Sequence, residues 1–207
     1  MAKRRQIKRE EGFSLKSTSI VLALSFGAFS SLFAGSGRTS SKSLQGMYPI
    51  VLSHGMSGWG DDATGLTKVI QYWSAADYLR SQGALVYSPT KTAFTSTEAR
   101  AQELKGKVNT FMAANGASKI HIIGHSQGGL DPRYMITNLG MASKVATFTS
   151  LNTPHRGSPI ADLVKTIVPS WALPYVGAGL NAVFSTLLYG GMRQNAIAGL
   201  NSLTVAG

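Results

Sequence analysis

Ser126 stands in Gly124-His125-Ser126-Gln127-Gly128-Gly129, directly after the apolar run Lys119-Ile120-His121-Ile122-Ile123. A β-branched run followed by Gly-x-Ser-x-Gly is the pattern of a buried strand that turns sharply into a helix, with the serine held on the turn. Small residues are needed at 124 and 128 because strand and helix backbones nearly touch there. Such a turn lifts the serine hydroxyl above the sheet edge, where a carbonyl carbon can be attacked. The start of the helix aims free amides and its dipole at the oxyanion that attack creates. Ser126 is therefore the candidate nucleophile.

One donor to that oxyanion is expected from the backbone amide of Gln127, next to the nucleophile. The second is expected from the turn His54-Gly55-Met56 that follows an earlier strand, through the Met56 amide. A serine also needs a base and an acid to orient the base. The chain offers His54, His121, His125 and His155. His125 should point away from the reacting face, His121 lies further up the same strand, and His54 shapes the oxyanion loop. His155 follows the fourth strand, near the same sheet edge. Asp131 and Asp162 are candidates for the acid, although exposed helix charge is the default reading of both.

The elements that must position these residues follow from periodicity. Pro49-Ile50-Val51-Leu52 reads as a first strand. Thr67 to Gln82 reads as a helix stopped at Gly83, and Ala84 to Pro89 as a second strand. Thr95 and Glu98 form a capping box for a helix that runs to about Ala114 and stops at Asn115-Gly116. The nucleophile strand comes next, with a helix to about Gly140, and Lys144 to Leu151 is a fourth strand. Strands alternating with helices imply an α/β fold, a parallel sheet with helices on both faces. Between Lys165 and Arg193 there is no charged residue, while Pro169, Pro174, Gly177, Gly179, Gly190 and Gly191 interrupt the stretch. Residues 160–192 are expected to form an apolar helical lid over the site; an ordinary core helix pair is the alternative.

Composition narrows the function classes. The 207 residues carry a net charge of +11 and no cysteine, which leaves neither a disulfide framework nor a thiolate metal site. Residues 1–42 hold eight Lys/Arg against Glu10 and Glu11, and the remainder shows no basic run. That distribution argues against nucleic acid as a partner. A basic stretch to Lys16, an apolar core from Ile20 to Phe29 and small residues to Ser36 read as a secretory signal peptide over residues 1–36. An uncleaved membrane anchor is the alternative. Residues 37–47 form a polar linker, and 48–207 the folded domain.

Three motifs in order, Tyr48 to Met56, Gly124 to Gly129 and Thr153-Pro154-His155-Arg156-Gly157-Ser158, resemble the secreted bacterial triacylglycerol lipases of the Pseudomonas/Burkholderia type. Trp73 also lines up. The resemblance implies an α/β-hydrolase fold, hydrolysis of lipid esters at an oil–water interface through an acyl-enzyme, a mobile lid and export through the periplasm. It also implies a membrane-anchored foldase as partner and a structural calcium ion in a complete family member, with no cofactor within this chain. In that family the catalytic Asp and His lie well over a hundred residues beyond the nucleophile, whereas 81 residues follow Ser126 here. The sheet is accordingly expected to be incomplete on its C-terminal side. Once the leader is removed, residues 37–207 alone are expected to be catalytically incompetent and poorly soluble. A related short-chain esterase or acyltransferase, or a non-catalytic lipid- or partner-binding remnant of the fold, are the alternatives.

Overall fold

Val51, Ile120 and Ile122 are fully buried on one side of the sheet, against Ala101, Leu104, Val108 and Met135 from two helices. Ile50, Leu52 and Val86 face the other way, against Ala76. Side chains alternate along a strand, so a strand apolar on both parities must be covered on both faces. A computed structural model describes residues 42–69 and 74–205, which lie within the unit Arg38–Gly207. The expected signal peptide, and Trp73, fall outside the described residues.

The strands are β1 (Ile50–Ser53), β2 (Val86–Tyr87), β3 (Ile120–His125) and β4 (Val145–Leu151), all parallel, in the order β2-β1-β3-β4. The helices α1 (Ser74–Ser81), α2 (Thr97–Ala114) and α3 (Gln127–Asn138) connect them. The helix α1 covers one face of the sheet, while α2 and α3 cover the other. The expected helix from Thr67 is divided: a 3₁₀ turn spans Gly65–Val69 and α1 begins only at Ser74. The second strand is shorter than its apolar pattern, because only Val86 and Tyr87 pair with β1. The N-cap of α2 is Ser96 rather than Thr95; its hydroxyl accepts from the Ala99 amide at 3.3 Å. Ser96 sits three residues before the amide it caps, which is the spacing that closes the ring.

Among the described residues, β4 is one edge of the sheet and β2 the other. Val145 and Phe148 pack partly against the α2–α3 core, while Leu151 is 41% exposed. Beyond β4 come α4 (Pro159–Ile167), α5 (Leu173–Ala182), a π-turn (Val183–Leu188) and α6 (Ala196–Asn201). The expected lid therefore splits into two kinds of structure. Its first part exposes Ile160, Ile167, Trp171 and Tyr175 at 68–76%. Its last part is core: Phe184 and Leu188 pack beside buried Tyr189, Phe94 and Ala93. The Tyr189 hydroxyl donates to the Gly58 carbonyl, and Thr67 Oγ1 donates to the Leu188 carbonyl at 3.0 Å.

Candidate active site

Ser126 is the N-cap residue of α3, with φ 55° and ψ −133°, a backbone conformation that costs a serine energy. The described non-glycine residues with positive φ are Ser57, Ser126 and Asn152. All three follow the carboxyl ends of strands: β1, β3 and β4. Strain collected at that edge marks the place where open α/β sheets carry their sites.

Glycines allow the close approach. A Cβ on Gly124 would lie 2.4 Å from the Gly128 carbonyl oxygen, and one on Gly128 would lie 2.2 Å from the Ser53 oxygen. A Cβ on Gly55 would stand 2.9 Å from Ser126 Cβ and 3.4 Å from Ser126 Oγ. The loop after β1 is thus pressed onto the serine. In this loop Ser57 N donates to the Ala93 carbonyl and Gly58 N to the Gly55 carbonyl. The Met56 and Gln127 amides find no backbone acceptor among the described residues. The two expected oxyanion donors therefore belong to segments that flank Ser126, the loop after β1 and the start of α3.

Beneath this loop lies a buried charged cluster that sequence reasoning missed. Lys91, Arg100, Asp131 and His54 are all fully buried. Arg100 Nε donates to both Asp131 oxygens, at 2.9 and 3.2 Å. Its Nη2 donates to the His54 carbonyl at 2.6 Å and the Gly55 carbonyl at 3.3 Å, and its Nη1 to the Thr92 and Ala93 carbonyls. Lys91 Nζ donates to Ser53 Oγ at 3.1 Å and the His54 carbonyl at 3.2 Å, with Asp131 Oδ2 at 3.6 Å. Asp131 is thus not an exposed helix charge: it is the counter-ion of two cations under the oxyanion loop. Burial and the neighbouring Arg100 lower the Lys91 ammonium to about 7. One signal was present in the sequence, since Arg100 shares its helical stripe with Leu104, Val108 and Met112.

The histidines are committed elsewhere. His54 Nδ1 donates to the Gly55 carbonyl at 2.8 Å, and its Nε2 accepts from the Lys91 amide at 2.8 Å. Burial, then Lys91 and Arg100, hold its pKa well below the ordinary range, so the ring is neutral. Arg133 donates to His155 Nδ1 at 3.2 Å, which leaves Nε2–H to donate to Ser150 Oγ at 3.0 Å. His121 Nδ1 is 2.8 Å from Thr147 Oγ1. His125 is half-buried, and burial lowers its pKa. Asp162 accepts the Val205 amide at 3.3 Å. Among the described residues, His121 and His155 bond to Thr147, Arg133 and Ser150 rather than to Ser126 Oγ.

A parallel sheet covered on both faces, with a strained serine at the carboxyl end of a central strand, defines an α/β-hydrolase. Comparison with known proteins bears this out. The family model described as Palmitoyl protein thioesterase matches residues 49–199, and the chain belongs to that family. It is 37% identical to the triacylglycerol lipase of Burkholderia plantarii over 168 residues, 77% of this chain and 45% of the relative. It is 36% identical to that of Vibrio cholerae over 200 residues, 91% of this chain and 61% of the relative. The resemblance read from three motifs holds, and places the chain in a lipase and carboxylic ester hydrolase family. Among solved structures, the mature Bacillus licheniformis lipase BlEst2 superposes with a TM-score of 0.55 at 18% identity, over 83% of this chain and 59% of that one. The chain spans about half the length of the curated relatives it matches.

Proposed function

We propose that this protein hydrolyses lipid esters, with Ser126 as nucleophile and the Met56 and Gln127 amides as the oxyanion hole. The observation that carries this reading is the junction itself. Ser126 is strained onto a strand–helix turn, with the Gly55 loop against its side chain and the two expected donor amides on the segments either side. Ser126 Oγ attacks the carbonyl carbon, its proton passes to a base, and the carbonyl oxygen gains negative charge between the two amides. Collapse expels the alcohol with that proton and leaves an acyl group on Ser126, which water then removes. The base and acid are expected, through the resemblance, well beyond the nucleophile, in keeping with the engagement of His54, His121 and His155 elsewhere.

The substrate is proposed to be a fatty acyl ester, since relatives named triacylglycerol lipase and a family named for a palmitoyl thioesterase share a long acyl group. The exposed apolar side chains of α4 and α5 support work at an oil–water interface, as a lid or as a lipid-facing surface. Export through the periplasm with help from a foldase belongs to the same proposal. No described helix is long and apolar enough to cross a membrane. A structural calcium ion is proposed for the complete protein only; among the described residues no group of three or more His, Cys, Asp or Glu side chains is placed to hold a metal.

The test is kinetic. In the complete protein, Ser126→Ala should reduce ester turnover by roughly 10⁴-fold or more while the fold is retained. Undiminished hydrolysis in that variant would remove the assignment.

A further inference from the structure

We propose that Lys91 is the positioning residue that holds the Met56 amide against Ser126, by gripping the residue His54 from both ends. This rests on the reading of Ser126 and Met56 given above. The grip is geometric. The Lys91 backbone amide donates to His54 Nε2 at 2.8 Å, and the same residue's Nζ donates to the His54 carbonyl at 3.2 Å. The His54 ring in turn donates through Nδ1 to the Gly55 carbonyl at 2.8 Å. Lys91 therefore fixes both peptide planes that lead into Met56: that of His54 directly, and that of Gly55 through the imidazole. A third bond, from Nζ to Ser53 Oγ at 3.1 Å, ties the grip to the end of β1.

Two features separate Lys91 from its neighbour Arg100. Arg100 spreads its donors over His54 and Gly55 on one loop and Thr92 and Ala93 on another, so it joins two loops. The contacts of Lys91 end on Ser53, His54 and Asp131, which makes its effect local. The cost of burying its ammonium is also high, and a hydrophobic residue of similar length would avoid that cost. A buried lysine that adds charge beside Arg100 is poorly explained by stability alone.

Charged or titratable groups that face Lys91 are Arg100 and Glu103 from α2, Asp131 from α3 and His54 from the loop after β1. His54 is held neutral by burial and by the neighbouring cationic side chains. Loss of the Lys91 proton near pH 7 should therefore be felt in the loop it grips.

The experiment compares the complete protein with Lys91→Met, and with Lys91→Gln as a second variant. Amide hydrogen exchange at residues 54–58 should accelerate by about tenfold or more in both variants, while β3 stays protected. Turnover of a dissolved short-chain ester should fall about 10- to 100-fold in kcat, with KM changed by less than about twofold. In the unaltered protein the Met56 amide signal should move between pH 5.5 and 8.5 with a midpoint near 7, and Lys91→Met should abolish that movement. Exchange at 54–58 that is unchanged, or raised evenly through β1 and β3, would overturn the proposal, as would a Met56 signal that does not titrate. Absence of Ser126-dependent turnover would remove the reading of the site and leave exchange and titration to decide the role of Lys91.

Discussion

The His54 ring is neutral in the fold because burial excludes its charged form and both nitrogens are engaged, one as donor and one as acceptor. In the unfolded chain the same ring binds a proton below about pH 6.5. Below that pH the unfolded chain therefore holds a proton that the fold refuses. Stability from this residue is complete above about pH 6.5 and declines as pH falls, by up to about 1.4 kcal/mol per unit for one proton. Urea unfolding at pH 5 and 7.5 checks it: His54→Asn should flatten the difference seen in the unaltered protein, and an identical difference would contradict it. At this scale the strand–turn–helix setting of Ser126, and the places of Met56 and Gln127 beside it, were legible, because glycine and serine spacing reports backbone position. Arg100 and Asp131 were legible only in part. Each lies four residues before an apolar partner on its helix, Leu104 and Met135, and that stripe is the sign of burial. Lys91 lies in a loop with no period, so its burial could not be read.

Strands β1, β3 and β4 follow the apolar pattern of the sequence, and β2 departs from it. Strands β1 and β3 lie in the middle of the sheet and match the sequence reading closely. At one edge β2 keeps only the two residues of a longer apolar run that pair with β1, while β4 at the other edge keeps all seven from Val145 to Leu151. Two glycine substitutions separate close approach from mere helix entropy. In Gly128→Ala the new Cβ would meet the Ser53 and His54 carbonyl oxygens at 2.2 and 2.3 Å, backbone atoms that cannot step aside. That change should cost about 3 kcal/mol or more. In Gly106→Ala the new Cβ meets nothing within 4 Å on the exposed side of α2, and stability should rise by about 0.5–1 kcal/mol. Thermal unfolding of the two variants reads both signs. A harmless Gly128→Ala would mean that β1 and α3 are not in contact as described.

Across the whole molecule, apolar surface is distributed unevenly. The π-turn and Tyr189 are fastened to the loop after β1, while α4, α5 and the segment between them present Ile160, Leu163, Ile167, Trp171 and Tyr175 to the outside. The sequence showed that 166–192 is uncharged, but not which half would be anchored; that is decided by Thr64 and Thr67, whose hydroxyls donate to the Tyr189 and Leu188 carbonyls across the fold. Leu187 is exposed, whereas Leu188 packs in the core, so a paired leucine substitution would mix surface and stability effects. The cleaner pair is Trp171→Ser with Tyr175→Ser. In the complete protein this pair should lower activity on a triacylglycerol emulsion about 5- to 30-fold, about 1–2 kcal/mol of lost interfacial burial, and leave dissolved short-chain esters nearly unaffected. Equal losses on both substrates would assign these side chains to the fold instead.

The central claim is that Ser126 forms the acyl bond while Met56 and Gln127 receive the oxyanion. An alkylphosphonate ester tests it directly, because its tetrahedral phosphorus stays bound to the nucleophile and its phosphoryl oxygen stands where the oxyanion would. A crystal structure of the inhibited complete protein should show phosphorus bonded to Ser126 Oγ and that oxygen within about 3 Å of both amides. Phosphorus on another residue, or a phosphoryl oxygen turned away from Met56 and Gln127, would contradict the account.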